Sequence, residues 1–217
     1  MRYSEVVCKA AGIIAVCVAA PLVFAQGPEP GKETSGLVPR AKPTEYQAQA
    51  KAGKVTIAAD FSGHGFPTVD APVSSENFVA VEVALYGPEG TKLKIEAGQF
   101  SLKINGKKPI EAQPWGLAAK EVKDPEWIPP EPAKEKGSGL STGGKEPGAP
   151  PPVTPKPPVE LLRTWQQRVG RSALAEGERT LPIAGLVFFQ ARGKLESMKT
   201  VELVYEGPGG KATLQLQ

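Results

Sequence analysis

His64 is the one histidine in the chain, and it stands in Asp60-Phe61-Ser62-Gly63-His64-Gly65, where an acid, a hydroxyl and an imidazole fall at alternate positions. Those are the parts of a hydrolytic triad: a hydroxyl nucleophile, an imidazole that takes its proton and a carboxylate that orients the imidazole. The spacing works against that chemistry. Same-face neighbours on an extended strand lie about 6.5–7 Å apart along the chain, beyond the reach a nucleophile and its base require. Gly63 and Gly65 favour a turn instead, so the segment reads as a surface loop and no catalytic residue is assigned.

Zinc, copper and iron sites need clustered His, Cys or carboxylate ligands. Past an N-terminal segment that holds both cysteines, Cys8 and Cys17, the chain offers His64 and only Asp60, Asp70 and Asp124 as aspartates. Calcium on Asp60, Asp70 and backbone carbonyls is the one combination left, and no Asp-rich loop supports it. The Gly207-Pro208-Gly209-Gly210 and Gly143-Gly144 segments lack the preceding parallel strand and following helix of a phosphate cradle. Neither a metal site nor a cofactor site is therefore assigned. Trp115, Trp127 and Trp165 have faces that stack on sugars or bases, but they flank or enter a proline-rich stretch and read as anchors for its ends.

The elements that would position these residues begin after an export signal. Arg2 and Lys9 precede an uncharged run from Ala10 to Ala25, and Val23-Phe24-Ala25 places cleavage before Gln26. The apolar run, roughly 16 residues, falls short of the ~20 needed to span a bilayer, which disfavours an uncleaved anchor. Removing the signal at 1–25 also removes both cysteines, so stability must come from a core without disulfides. Arg2, Lys9 and Glu5 leave with it, and the remaining 24 basic and 22 acidic residues carry no overall field for nucleic acid or anionic lipid.

Residues 26–51 are rich in Gly, Pro, Lys, Glu and Ala and read as a flexible leader. Period-two alternation starts at Lys54, with Val55, Ile57, Ala59 and Phe61 on one face. The strongest stripe is Val79, Val81, Val83 and Leu85 within Phe78–Tyr86, expected at the centre of a sheet. Leu93 and Ile95, then Phe100, Leu102 and Ile104, mark two more strands, and Asn105-Gly106 predicts a tight hairpin returning through Pro109 as an edge strand. From Asp124 to Pro158, 11 of 35 residues are proline and five are glycine, a composition that predicts an unpacked insertion at 124–158. Leu161, Leu162, Trp165 and Val169 then have helical spacing, giving a short amphipathic helix over 159–172 that docks on the edge of the domain. Strand signals resume at Thr180–Phe189, Val201–Tyr205 and Lys211–Leu216, the last two as a hairpin. The fold class is all-β, an antiparallel sandwich over 52–217 interrupted by the insertion and the helix.

Gly98-Gln99-Phe100-Ser101-Leu102 leading to Asn105-Gly106-Lys107, then Leu174-Ala175-Glu176-Gly177-Glu178 before Gly185-Leu186-Val187-Phe188-Phe189, and a closing Val201-Glu202-Leu203-Val204-Tyr205, make a pattern. It resembles the secreted immunoglobulin-like family catalogued as domain of unknown function 4352, over about Lys54–Gln113 and Leu174–Leu216. The resemblance implies export and an immunoglobulin-like fold and supplies no catalytic residues. The proline-rich tract, the helix and Gly87-Pro88 depart from the family pattern.

The expectation is a non-enzymatic module, periplasmic or extracellular, that engages another envelope or extracellular protein through edge strands or the proline-rich loop. No nucleic acid and no membrane span after signal cleavage are expected, and the oligomeric state is open. The alternative is an enzyme or small-ligand carrier whose pocket is roofed by the insertion and helix. A concave pocket with two converging titratable groups would favour it.

Overall fold

The computed structural model of the protein describes residues 36–130 and 156–217. The expected export signal, the first ten residues of the expected leader and residues 131–155 of the expected insertion lie outside the described residues.

In chain order the strands are β1 (Ala48–Ala52), β2 (Val55–Gly63), β3 (Gly65–Phe66), β4 (Val73–Ser74), β5 (Phe78–Tyr86), β6 (Lys92–Ile95), β7 (Phe100–Ile104) and β8 (Ile110–Gln113). Helices α1 (Trp115–Ala119) and α2 (Val159–Ser172) follow, then β9 (Gly177–Thr180), β10 (Ile183–Gln190), β11 (Val201–Gly207) and β12 (Gly210–Gln215). The fold is all-β. Eight strands form one antiparallel sheet in the order β1-β2-β5-β10-β8-β7-β11-β12, and its two edges, β1 and β12, lie against each other so that the sheet is nearly a barrel. Two small two-stranded sheets, β3-β4 and β6-β9, sit beside it.

Alternation explains the interior. Val55, Ile57 and Ala59 of β2, Val79, Val81, Val83 and Leu85 of β5, Phe100, Leu102 and Ile104 of β7, Val187 and Phe189 of β10, and Val201, Leu203 and Tyr205 of β11 all enter one buried cluster. The sequence blocks on either side of the proline-rich tract thus close over a shared core, as they must when each strand has an apolar face to remove from water. The other faces of β5 and β10 are apolar too. Phe78, Ala80, Leu186 and Phe188 lie under the helices in a second cluster with Trp165 and Val169, while Ala84 and Ala184 lie with Ala58 and Tyr46 in a third.

Three expectations need correction. The leader does not run flexibly to residue 51: Leu37 N–H donates to Ala184 O at 2.8 Å, Tyr46 is buried, and residues 48–52 pair with β2 as β1. Its alternation is written in alanine, which removes too little area from water to register as a strand, and pairing with β2 supplies what propensity does not. The strand after Pro109 is not an edge, because β8 pairs with β7 through Leu102↔Ile110 and with β10 through Phe189↔Ala112. Pro109 precedes the strand and withholds no ladder donor. Finally, α2 docks on the outer face of β5 and β10 rather than at an edge, and a second, five-residue helix, α1, packs beside it.

Gly185 shows how close the cover lies. A Cβ there would stand 2.5 Å from the backbone nitrogen of Leu174, the residue whose N–H donates to Leu186 O at 2.9 Å. Gly185→Ala should therefore destabilise the fold by about 3 kcal/mol or more in denaturant unfolding, since backbone rather than a side-chain tip must move. Gly116→Ala in α1, with nothing within 4 Å of the new methyl, should be neutral or gain up to about 1 kcal/mol. Equal effects at the two sites would contradict this packing.

Candidate functional site

The densest group of polar side chains lies on the outer face of β2 and β5. Asp60 and Glu82 are register partners on these adjacent strands, so the pleat sets two carboxylates directly opposite one another. Arg40, on the segment crossing the sheet before β1, separates them: its guanidinium pairs with Asp60, reaches Glu82 at 3.4 Å, and stands 4.1 Å from the centroid of the Tyr46 ring. Tyr46 meets Tyr86 edge-on at 6.3 Å, and the Tyr86 hydroxyl donates to Arg40 O at 2.7 Å. The Gln47 backbone N–H also donates to Asp60. Burial raises the Glu82 carboxyl above its ordinary range; Arg40 draws it back down and Asp60 pushes it up. Burial likewise raises the Tyr86 hydroxyl, helped by Tyr46. Every group here is bonded to another within the cluster, which makes it a clasp for the N-terminal segment.

His64 follows a bulge in β2, where the register with β5 shifts between Phe61 and Gly63 and Gly63 takes φ 61°. Its Nδ1 lies 2.8 Å from Phe78 O and its Nε2 2.8 Å from Gly193 O. A carbonyl only accepts, so the neutral ring can satisfy one of them and the imidazolium both. Asp60 is turned to Arg40, so Asp60, Ser62 and His64 are not brought together as a relay. The ring ties the start of β5 to the loop before β11.

Each of the three aspartates is paired with an arginine: Asp60 with Arg40, Asp70 with Arg171, and Asp124 with Arg168 at 3.4 Å. The last two fasten α2 to flanking loops. The three tryptophans share the helical layer: Trp165 is buried, Trp127 meets it edge-on at 6.2 Å, and Trp115 lies against Gly170. Trp165 Nε1 and Arg168 Nε, three residues apart on α2, are buried without a hydrogen-bond partner among the described residues, a cost set against burial of the indole ring. The sequence reading missed Arg40, Tyr46, Glu82 and Tyr86; the only signal for them was Glu82, a charge inside the most apolar stripe.

One cavity is an open trough of about 470 Å³ lined by Lys51, Gly53, Lys54, Thr56, Tyr86, Gly87 and Pro88. A slot of about 20 Å³ between β8, β10 and the segment after α2 has room for a single water. Among the described residues there is no group of three or more side chains able to hold a metal ion, and no helix long and apolar enough to cross a membrane. No family model, curated protein or solved structure matches the chain.

The clasp has a pH signature. A carboxyl raised by folding contributes stability below its ordinary value and loses that contribution as pH rises through the raised one, so ionised Glu82 is a net cost at neutral pH. Glu82→Gln should raise stability at pH 7 by up to about 1 kcal/mol, with the advantage vanishing near pH ~4 where the parent is protonated. Arg40→Met should instead cost about 1–2 kcal/mol at pH 7 and less in acid, since it leaves two carboxylates facing each other. Denaturant unfolding at the two pH values reads both; a destabilised Glu82→Gln at pH 7 would contradict the assignment.

Proposed function

We propose that the chain is an exported, non-enzymatic interaction module of the immunoglobulin-like secreted kind, acting in the periplasm or beyond, and that it recognises a protein partner through the proline-rich tract between α1 and α2. The carrying observation is the way the ends of that tract are held. On one side Ser74 and Lys123 exchange backbone hydrogen bonds of 2.7 and 2.8 Å, Asp124 reaches Arg168, and Trp127 meets the edge of Trp165. On the other, α2 begins at Val159, directly after Pro157-Pro158, and is fixed by buried Trp165 and Val169. A proline-rich segment offers carbonyl acceptors, few N–H donors and a restricted backbone, the properties that aromatic-lined grooves of other proteins select.

Two further features support this reading over its rivals. The edges β1 and β12 lie against each other, and Gln47 Nε2 donates across them to Leu216 O, so neither is a long open edge for strand addition. The trough is lined by two lysines, a threonine and a hydrogen-bonded tyrosine and contains no carboxylate, thiol or imidazole, which gives the enzyme or carrier alternative little to work with.

Chemical cross-linking in envelope extracts, comparing the full chain with a variant lacking 131–155, tests the proposal. A discrete protein adduct should form with the full chain and be lost in the deletion while the thermal transition stays unchanged. An adduct that persists in the folded deletion variant would overturn it.

A further inference from the structure

Near-neutral composition hides an uneven distribution of charge. Asn105 takes φ 54° at the turn after β7, where its backbone N–H donates to Thr200 O and its side chain donates to Ser197 O and accepts from the Lys199 and Thr200 N–H groups at 2.7–3.1 Å. These bonds hold residues 105–109 against the connection 191–200, which His64 grips at Gly193. The two loops together carry Lys107, Lys108, Arg192, Lys194 and Lys199 against one carboxylate, Glu196, a net of +4, whereas the whole chain carries +3. All five cations are exposed and none forms an ion pair among the described residues. The flanking strands add Lys103 of β7, which stands opposite Glu202 of β11, and Glu111 of β8, so the positive excess is confined to the loops themselves. Leu195 is 41 % exposed in the midst of them.

We infer that this end of the barrel is a docking surface for an anionic lipid bilayer, with the lysines at the headgroups. Charge complementarity names an anionic partner, and the residue types choose among anions. Four of the five cations are lysines, which are depleted at protein interfaces where geometry must be matched, but serve well as point charges above a diffuse negative surface. Neither loop has an aromatic side chain, so the stacking platform that single-stranded nucleic acid requires is missing. Leu195 turns its δ-methyls onto Gly63, which leaves the lysines as the groups that meet the headgroups. None of these residues belongs to the proline-rich tract, so the two proposals fail independently.

The test is co-sedimentation of the chain from Gln26 onward with vesicles of equal parts phosphatidylglycerol and phosphatidylcholine, and with phosphatidylcholine alone. Binding is expected to the first only and to fall steeply at high salt. K107Q/K108Q/K194Q/K199Q should lower the partition constant by about 100-fold or more. K51Q/K54Q, in β1 and its turn into β2 at the far end of β2 from His64, should leave it unchanged. The salt titration of the parent chain probes the same electrostatic attraction without relying on the folding of any variant. Absence of binding, equal binding to neutral vesicles, or insensitivity to the four substitutions would overturn the inference. So would tighter binding to soluble polyglutamate than to the anionic vesicles, which would point to an acidic protein.

Discussion

The structure depends on the fact that β5 and β10 are apolar on both faces. Val79, Val81, Val83 and Leu85 fill the interior, but Phe78, Ala80, Ala84, Leu186 and Phe188 point the other way and are equally buried. A strand with two apolar faces cannot lie at the surface of a single-layer barrel, since one side would remain in water. Two covers answer this need. The helices shelter the half of the outer face that carries phenylalanines, and the segment from Leu37 to Tyr46 shelters the half that carries Ala58, Ala84 and Ala184. Large residues meet a bulky cover and small residues a thin strap.

The charges follow from the covers. Each cover is an irregular piece with limited apolar area, and each is fastened by an arginine on an aspartate: Arg40 on Asp60 for the strap, Arg168 on Asp124 and Arg171 on Asp70 for α2. The aspartates that invite thoughts of metal or catalysis when met in the sequence are engaged in holding the outer layer. His64 has a comparable place, spanning two backbone carbonyls at the bulge where β2 leaves the sheet. The same economy leaves the five cations of the Asn105 and Leu195 loops without ion-pair partners among the described residues, because neither cover reaches that end.

Period two made most of the core legible. Val55-Thr56-Ile57, the valine run of β5 and Phe100-Ser101-Leu102 declare their faces, and the helical spacing of Leu161, Trp165 and Val169 declares α2. What stayed hidden was whatever tertiary context alone decides. Ala48, Ala50 and Ala52 alternate without enough apolar area to mark a strand, and Pro109 looks like an edge signal until β8 is seen to start one residue later. Glu82 within β5 was the one discordant residue, and only the register with Asp60 and the return of Arg40 across both explains it. The basic loops lie 82 or more residues apart and join only through Asn105, so a chain-wide sum of charge averages them away.

Native-state hydrogen exchange resolved by peptide mass spectrometry tests the shared interior most directly. The account predicts that amides of β5, β10, β7 and β11 exchange slowest and at one common rate, opening only with global unfolding although they come from both sides of the proline-rich tract. Two separate rates, one for residues 48–113 and another for 174–216, or fast exchange through Phe78–Tyr86, would contradict it.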